Sequence, residues 1–250
     1  MFPMWKFLYQ LASPKIFYNL SGRLIPWLAT SASLTLIIGI IWGLVFAPPD
    51  YQQGEAYRII YVHVPSAFLS MALYAWIGFL SILLLVWRIK IAGLLISLVA
   101  QVGACMAFLA LITGSIWGKP MWGTWWVWDA RLTSELILLL LYAAILTTHQ
   151  AVKNKEDGDK IIAILTLVGL LDLPIIHYSV YWWNTLHQGA TLSAFAKPKI
   201  AGSMLYPLLL TLVGFFLYCL WIILEKARNE VLIRERRQSW VRTQFEGEYQ

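Results

Sequence analysis

Charged residues are scarce in this sequence. They make up 13% of its 250 residues, whereas 60% are hydrophobic and the mean hydropathy is +0.67. Soluble domains are usually about 25% charged, so the composition excludes a water-soluble globule and indicates an integral membrane protein. Six apolar stretches have roughly the 20 residues needed to cross a bilayer, at 26–46, 64–87, 93–117, 132–149, 161–181 and 203–224. We therefore predict an all-α bundle of six transmembrane helices.

The sequence also lacks the cysteine and glycine motifs of several protein classes. Its two cysteines, Cys105 and Cys219, lie in predicted spans and form no C-x-x-C motif, which argues against dithiol exchange and covalent haem attachment. The segment GSIWGKP (114–120) has three residues between its glycines, where a phosphate-binding loop needs four, and Pro120 where that loop needs Ser or Thr. We therefore expect no ATPase site in this chain.

Lysine and arginine are distributed unevenly between the predicted loops. Fourteen of the 19 fall in the N-terminal segment, the turns after the second and fourth spans, and the C-terminal tail. Because basic loops stay on the cytoplasmic side, both termini are predicted to be cytoplasmic and the other three loops to lie outside.

This topology divides a single membrane domain (1–250) into three parts. They are a cytoplasmic or interfacial leader (1–25), a six-helix core (26–224) and a basic cytoplasmic tail (225–250). The tail is expected to face anionic lipid headgroups rather than nucleic acid. The leader is not expected to be a cleaved signal peptide, since the first span is long enough to stay in the bilayer.

An aromatic segment, WGKPMWGTWWVWD (117–129), lies between the third and fourth spans on the predicted outer side. Five of its thirteen residues are tryptophan, which is more than anchoring at a membrane interface requires. Gly118 and Gly123 allow close approach to the backbone, and Asp129 is predicted to cap the fourth helix. The segment is therefore a candidate binding platform. Its tryptophans are Trp117, Trp122, Trp125, Trp126 and Trp128.

Two of the four histidines are predicted to lie at the same outer depth. His63 precedes Pro65, which suits the first turn of the second helix, and His187 follows the fifth span. Neutral imidazoles are axial ligands of haem iron, so this pair beside the aromatic segment predicts a haem site. Either histidine could instead be an ordinary surface residue. His149, at a cytoplasmic helix end, is expected to be solvated or to face lipid headgroups. His177, within the fifth span, could make a helix-packing hydrogen bond or act as a ligand.

Three charged residues have both a functional and a structural interpretation. The guanidinium groups of Arg58 and Arg131 could bind carboxylates such as haem propionates in a two-bond geometry. Arg131 could instead pair with Glu135, one helical turn further on. Asp172, inside the fifth span, is a functional candidate because acids are rare in membranes. It could alternatively be a hydrogen-bonded group beside a kink at Pro174.

Three segments resemble one known family. WGKPMWGTWWVWDARLTSE resembles the tryptophan-rich WWD signature of haem-handling proteins. RIIYVHVP and LPIIHYSVYWWNTLHQG resemble the flanking histidine segments of its cytochrome c maturation protein C (CcmC) branch. The resemblance runs from about Ile25 to Gly189, with the motifs in the family's order on the same side of a six-span topology.

The resemblance implies a bacterial inner-membrane protein that binds haem b non-covalently at its periplasmic face. It places His63 and His187 at the positions of the family's axial ligands and makes the loop from Trp117 to Asp129 the platform for haem. It further implies delivery of haem to a periplasmic chaperone, protein E. The expected partners in an ABC-type complex are the cytochrome c maturation proteins A (the ATPase), B (a second membrane protein) and D (a small membrane protein). The chain is then not an enzyme.

Two other functions also fit the composition. A membrane oxidoreductase using haem b for electron transfer to quinone usually needs ligand pairs deep in helices, and only His177 is clearly within a span. A membrane scaffold that docks a partner through its tryptophans would bind no haem and would be colourless.

Overall fold

The computed structural model describes residues 13–187 and 200–246. Some predictions made above fall on residues 1–12, 188–199 and 247–250, and these lie outside the described residues. They concern most of the interfacial leader, part of the last outer loop and the end of the basic tail.

The described residues form α-helices joined by short connections. The helices are α1 (Pro14–Ile41), α2 (Ile60–Trp87), α3 (Lys90–Trp122), α4 (Ala130–Ala151), α5 (Lys155–Gly169), α6 (Asp172–Trp182), α7 (Gly202–Arg234) and α8 (Ser239–Glu246). A π-helical turn (Trp42–Phe46) extends α1, and a 3-10 turn (Glu55–Ile59) leads into α2. Within residues 13–187 and 200–246 there is no β-strand, only an isolated bridge between Asp50 and Gly54.

Six helical segments of the described chain are long and apolar enough to cross a membrane. They are Pro14–Phe46, Glu55–Trp87, Lys90–Trp122, Ala130–Ala151, Lys155–Trp182 and Gly202–Arg234. Large apolar side chains, among them Ile37, Phe108 and Leu140, are exposed on the outer faces of these helices, where lipid would cover them. The predicted all-α, six-span membrane fold is therefore confirmed. Which end of the bundle is cytoplasmic stays a prediction.

The third span is longer than the sequence indicated. α3 does not end near Trp117 but continues to Trp122, so the first part of the aromatic segment is helical. Pro120 lies in the last turn, so the hydrogen bond that it cannot donate to the Ile116 carbonyl is lost close to the end of the helix. The helix ends at Gly123, whose φ of +76° suits glycine and whose N–H donates to the Lys119 carbonyl oxygen at 3.1 Å.

The fifth span, predicted as one helix over 161–181, is broken in its middle. α5 ends at Gly169 and α6 begins at Asp172. Proline has no N–H to donate and its ring clashes with the carbonyl four residues earlier. Pro174 is therefore accommodated in the first turn of a new helix rather than in the interior of a continuous one.

The helices that surround the site are held in place by close packing. α2 lies along α3, and α4 contacts α3, α5 and α6. Between membrane helices this contact is stabilised by van der Waals packing of small against large residues. The buried Tyr142 ring of α4 fills the space beside Gly103 of α3, where an added Cβ would lie 2.2 Å from the phenol. Glycine at this position thus lets the two helices approach.

Candidate functional site

A cavity opens between α2, α3 and α4 at the end of the bundle that carries the aromatic segment. It contains about 650 Å³ of space free of protein atoms, including its part open to solvent. Most of the wall is apolar, and the polar groups on it are few. Those central to the site are His63, Arg131, Glu135 and His187.

His63 is held in one orientation by α3. The ring is buried, with 9% of the residue exposed. Its Nδ1 lies 3.1 Å from the Ala110 carbonyl oxygen and 3.0 Å from Thr113 Oγ1. Because a carbonyl only accepts hydrogen bonds, Nδ1 carries the proton and Nε2 carries the lone pair. Metal-binding histidines typically donate their other ring N–H to a backbone carbonyl in this way, so His63 is oriented to act as a ligand through Nε2.

His187 reaches the same cavity from the segment after α6. The centroids of the His63 and His187 rings are 6.2 Å apart and their planes make an angle of 39°. The two residues are 124 positions apart in the sequence, as their numbers show, and only the packing of α6 beside α4 brings them together. The predicted matching depth of the two imidazoles is therefore seen in the structure.

Asp129 fixes the position of the His187 segment. One oxygen of its carboxylate, Oδ1, accepts from the Leu132 N–H at 2.8 Å, which confirms the predicted cap of α4. The other oxygen, Oδ2, accepts from the Thr185 hydroxyl. The His187 N–H in turn donates to Thr185 Oγ1 at 3.1 Å. The acid that begins α4 thus also ties down the loop carrying the second histidine.

The tryptophans of the aromatic segment divide into two groups. Trp117 and Trp122 line the cavity: the Trp117 ring is 5.6 Å from the His63 ring, and the Trp122 ring is 6.3 Å from the His187 ring. Gly118 leaves room for Trp122, whose ring an added Cβ would meet at 2.8 Å.

Trp125, Trp126 and Trp128 do not line the cavity within the part of the chain that the structure describes. Trp125 is 56% exposed and Trp128 is 76% exposed, and Trp126 packs edge-on against Trp128 at 5.4 Å. Direct contact of these three with haem stays a prediction. These three follow the cavity-lining Trp122 in the chain and are called the aromatic surface here. Exposed Trp182 and Trp183 pack edge-on against each other at 5.8 Å.

The two candidate propionate-binding arginines occupy different environments. Arg131 lines the cavity, and its Nη1 donates to the Ile176 carbonyl oxygen at 2.6 Å. Arg58 is not part of the described cavity wall; it bonds to Glu55 and, at 3.0 Å, to the Gly43 carbonyl oxygen. The alternative hydrogen-bonded pair of Arg131 with Glu135 is not formed: Glu135 accepts from the Ser70 hydroxyl at 2.7 Å, and Arg131 interacts with Glu135 only through its charge.

At the other end of the bundle, His149 is not solvated as the sequence suggested. Its Nε2 lies 3.3 Å from the Asp159 carboxylate, which also binds Arg234 of α7 at 2.6 Å. The expectation was wrong because α5 and α7 fold over the end of α4 and cover the imidazole. The predicted packing of His177 between helices is wrong, because the residue is exposed on α6 and its ring packs edge-on against the next residue of the same helix, Tyr178, at 4.8 Å.

Comparison with known proteins decides the family. The sequence model of the family described as Heme exporter protein C (CcmC) matches residues 7–242. Heme exporter protein C of Escherichia coli (strain K12) is 49% identical over 238 residues, which cover 95% of this chain and 96% of the relative. This chain belongs to the heme exporter protein C family.

Other family members are similarly close. Heme exporter protein C of Haemophilus influenzae is 48% identical over 239 residues, covering 96% of this chain and 97% of the relative. That of Bradyrhizobium diazoefficiens is 44% identical over 230 residues, covering 92% and 87%. The family match extends beyond the segment between Ile25 and Gly189 that carried the resemblance, so most of the leader and most of the tail also belong to the family sequence.

Sequence reasoning missed two residues of the site in this heme exporter protein C family member: Glu135 on the cavity wall and Thr113, which contacts His63. Glu135 was considered only as a partner for Arg131, although an acid inside an apolar span is by itself a functional signal. Thr113 carries no such signal, because a single threonine in a helix usually bonds to its own backbone. Only the packing of α2 against α3 shows that Thr113 contacts His63.

Proposed function

We propose that this chain binds haem non-covalently between His63 and His187 at the periplasmic face of a bacterial inner membrane, and delivers it for c-type cytochrome biogenesis. Haem is the cargo in this proposal. The observation that carries it is the closeness of two imidazole rings, 6.2 Å between centroids, in one mostly apolar cavity.

The residues of the cavity fit haem chemically. An iron with two axial imidazoles needs one ring on each face of the macrocycle, with a lone pair directed at the metal. The hydrogen bonds of His63 leave Nε2 available for this role. The rings of Trp117 and Trp122 supply flat apolar surface beside the two histidines, and the Arg131 guanidinium on the cavity wall supplies a partner for a propionate.

Delivery requires that bound haem be reachable from outside the membrane. The cavity is open, and the exposed Trp125 and Trp128 lie in the segment that borders it. Exposed aromatic side chains are typical of protein interfaces. We infer that this aromatic surface contacts the haem chaperone, protein E, while haem is held by the histidine pair.

The export machinery is expected to include other proteins. The relatives are named exporters, and the present sequence has no recognisable phosphate-binding loop. We therefore propose that ATP is used by a separate ATPase, protein A of the cytochrome c maturation system, in a complex that also holds the membrane protein B and the small protein D. This chain then acts as a haem-binding and delivery component rather than as an enzyme.

The first test is an absorption spectrum of the protein purified in mild detergent. The wild type is expected to show a Soret band that is lost in His63→Ala and in His187→Ala and is restored by added imidazole. His177→Ala is the matched control: it removes a histidine of the same outer region that packs on Tyr178, and it should keep the band.

Two results would contradict the proposal. A wild-type protein that stays colourless after haem is supplied leaves the aromatic segment as a docking surface only. A Soret band that survives both cavity substitutions places the haem elsewhere.

A further inference from the structure

Glu135 places a carboxyl group on the wall of the cavity, one helical turn along α4 from Arg131. The residue is only 6% exposed, although it lies in a membrane span. Acids at such positions are costly to bury and usually serve a function. The haem-binding proposal above gives no task to Glu135.

The described hydrogen bonds balance its charge only in part. Glu135 Oε1 accepts from the Ser70 hydroxyl of α2 at 2.7 Å. The nearest cation, Arg131, directs its hydrogen bond to the Ile176 carbonyl oxygen rather than to Glu135. Tyr142 of α4 donates to the Ser70 carbonyl oxygen at 2.7 Å, so its phenol is also occupied. Among the described residues, the Glu135 carboxyl group is therefore bound by one neutral hydroxyl and by no cation.

A second acid shares the same interior. Asp172 begins α6, is 7% exposed, and its Oδ2 has no hydrogen-bond partner among the described residues. The negative charge of Asp172 acts on the Glu135 carboxyl group and on the Tyr74 phenol of α2. The part of α3 that lines the cavity contributes only uncharged groups: Ala110, Leu111, Gly114 and Ser115. Glu135 thus shares the Arg131 guanidinium with the Asp129 carboxylate, and Asp172 adds a further negative charge that acts on Glu135.

The charge of haem iron changes this balance. A ferric haem core carries one positive charge and a ferrous core carries none. The ferric core stabilises an ionised Glu135 carboxylate, the more so because Arg131 is the expected partner of a propionate and is then not available to balance Glu135. Reduction removes that positive charge, and an uncompensated charge is unfavourable where the dielectric constant is low. Uptake of one proton by Glu135 offsets the lost positive charge.

We infer that Glu135 is the proton-accepting residue that couples the redox state of bound haem to pH. The step is balanced: an external one-electron reductant converts iron(III) to iron(II), and a proton from the water at the cavity opening converts the Glu135 carboxylate to a carboxylic acid. Asp172 strengthens the coupling by repulsion. The inference rests on the proposed haem function. Glu135 takes up the proton that offsets the change in haem charge, and it does not bind the iron.

The test is a redox titration of the haem-loaded protein at pH values from about 5.5 to about 8.5. This range includes the raised pKa values that carboxyl groups can reach when they are buried. The midpoint potential of the wild type should fall as pH rises, by up to about 59 mV for each tenfold decrease in proton concentration, the value for one proton per electron. Glu135→Gln should lose most of this slope. Glu55→Gln, an exposed outer acid bound to Arg58, is the matched control and should keep it.

The outcomes separate the two proposals. A protein that binds no haem contradicts the haem function itself. A protein with a histidine-dependent Soret band and equal slopes in wild type and Glu135→Gln contradicts only the role of Glu135.

If Glu135→Gln does not hold haem, Ser70→Ala replaces it, since this substitution removes the hydrogen bond to Glu135 and leaves the cavity wall intact. The pH range of the slope should then move, and an unchanged profile overturns the inference.

Discussion

His63 and His187 are positioned by quite different means. His63 is held by backbone and side chain of a neighbouring helix, at Ala110 and Thr113. His187 is held by its own loop, through Thr185. One histidine is thus part of the rigid bundle, whereas the other is in a segment whose position depends on a few polar contacts.

The difference between the tryptophans that line the cavity and those that are exposed leads to a prediction about single residues. Trp122→Ala removes a ring from the cavity wall and should lower haem retention severalfold, because apolar contact with the macrocycle is lost. Trp125→Ala and Trp128→Ala change side chains that are mostly exposed and should leave haem retention close to wild type. Their loss should instead reduce capture of the haem chaperone.

The measurement is co-purification of tagged chaperone with haem-loaded protein, together with the Soret absorbance of each variant. Equal capture by Trp125→Ala, Trp128→Ala and wild type would remove the aromatic surface from the delivery step. A loss of haem in the exposed variants as large as in Trp122→Ala would show that the two groups do not differ in function.

The residue types of the site were readable in the sequence, but their partners were not. His63, His187 and the five tryptophans could be singled out because these residue types are unusual in such numbers beside a membrane span. That Trp117 and Trp122 line the cavity while Trp125 and Trp128 do not depends on where α3 ends. The extra helical turn after Trp117 brings Trp122 to the cavity beside it.

At the level of whole elements, the start of α4 has two tasks. Asp129 caps the helix and also accepts from Thr185 of the His187 loop. Capping is a local signal that the sequence carries by itself. The bond to Thr185 joins residues 56 positions apart and arises only because α6 packs against α4.

These two tasks can be separated by substitution. Asp129→Ala removes both, and loss of the cap should destabilise the protein by about 1 kcal/mol while haem retention falls. Thr185→Val keeps the cap and removes only the bonds to Asp129 and to the His187 N–H. It should lower haem retention with little change in melting temperature, measured by thermal unfolding in detergent alongside the Soret absorbance.

An opposite pattern would count against this assignment. If Thr185→Val retains haem as well as the wild type while Asp129→Ala loses it, the capping role alone explains the importance of Asp129.

The break between α5 and α6 is a further property of the elements. Hydropathy predicts one apolar span at 161–181, because it measures how apolar a stretch is and not whether its helix is continuous. Pro174 was recognised as a candidate kink, and the structure interrupts the helix at Leu170 and Leu171, where the proline ring meets the carbonyl four residues earlier. The break places Asp172 at the start of a helix within the fifth span, where its charge acts on Glu135.

At the scale of the whole molecule, the distribution of basic residues predicts one orientation in the membrane. The haem cavity and the aromatic segment then face the periplasm, and the cluster of His149, Asp159 and Arg234 faces the cytoplasm. Both ends are described by the structure, so the prediction can be tested at exposed positions of each.

Cysteine labelling checks this orientation. Gln52→Cys, in the turn between α1 and α2, should react with a membrane-impermeant maleimide added to intact cells, and Lys153→Cys, between α4 and α5, should react only after permeabilisation. The side chains of both residues are exposed. The parent protein, with Cys105 and Cys219 replaced by alanine, must stay unlabelled. The reverse pattern would place the cavity on the cytoplasmic side and contradict delivery to a periplasmic chaperone.

The sequence by itself determined the features that depend on neighbours along the chain. Span number follows from runs of apolar residues, the α4 cap from Asp129, and the choice of His63 from its place before Pro65 at a helix start. Each of these signals is complete within a few residues or one helix length, so no tertiary contact is needed to detect it.

Only the tertiary structure decided which side chains meet. The pairing of His63 with His187, the contact of Thr113 with His63 and the position of Glu135 on the cavity wall depend on how each helix is rotated about its axis and which neighbour it packs against. That rotation is set by many weak packing contacts, such as Tyr142 against Gly103. No single one of them is visible in a segment of sequence, and for this reason the cavity could not be derived from the sequence alone.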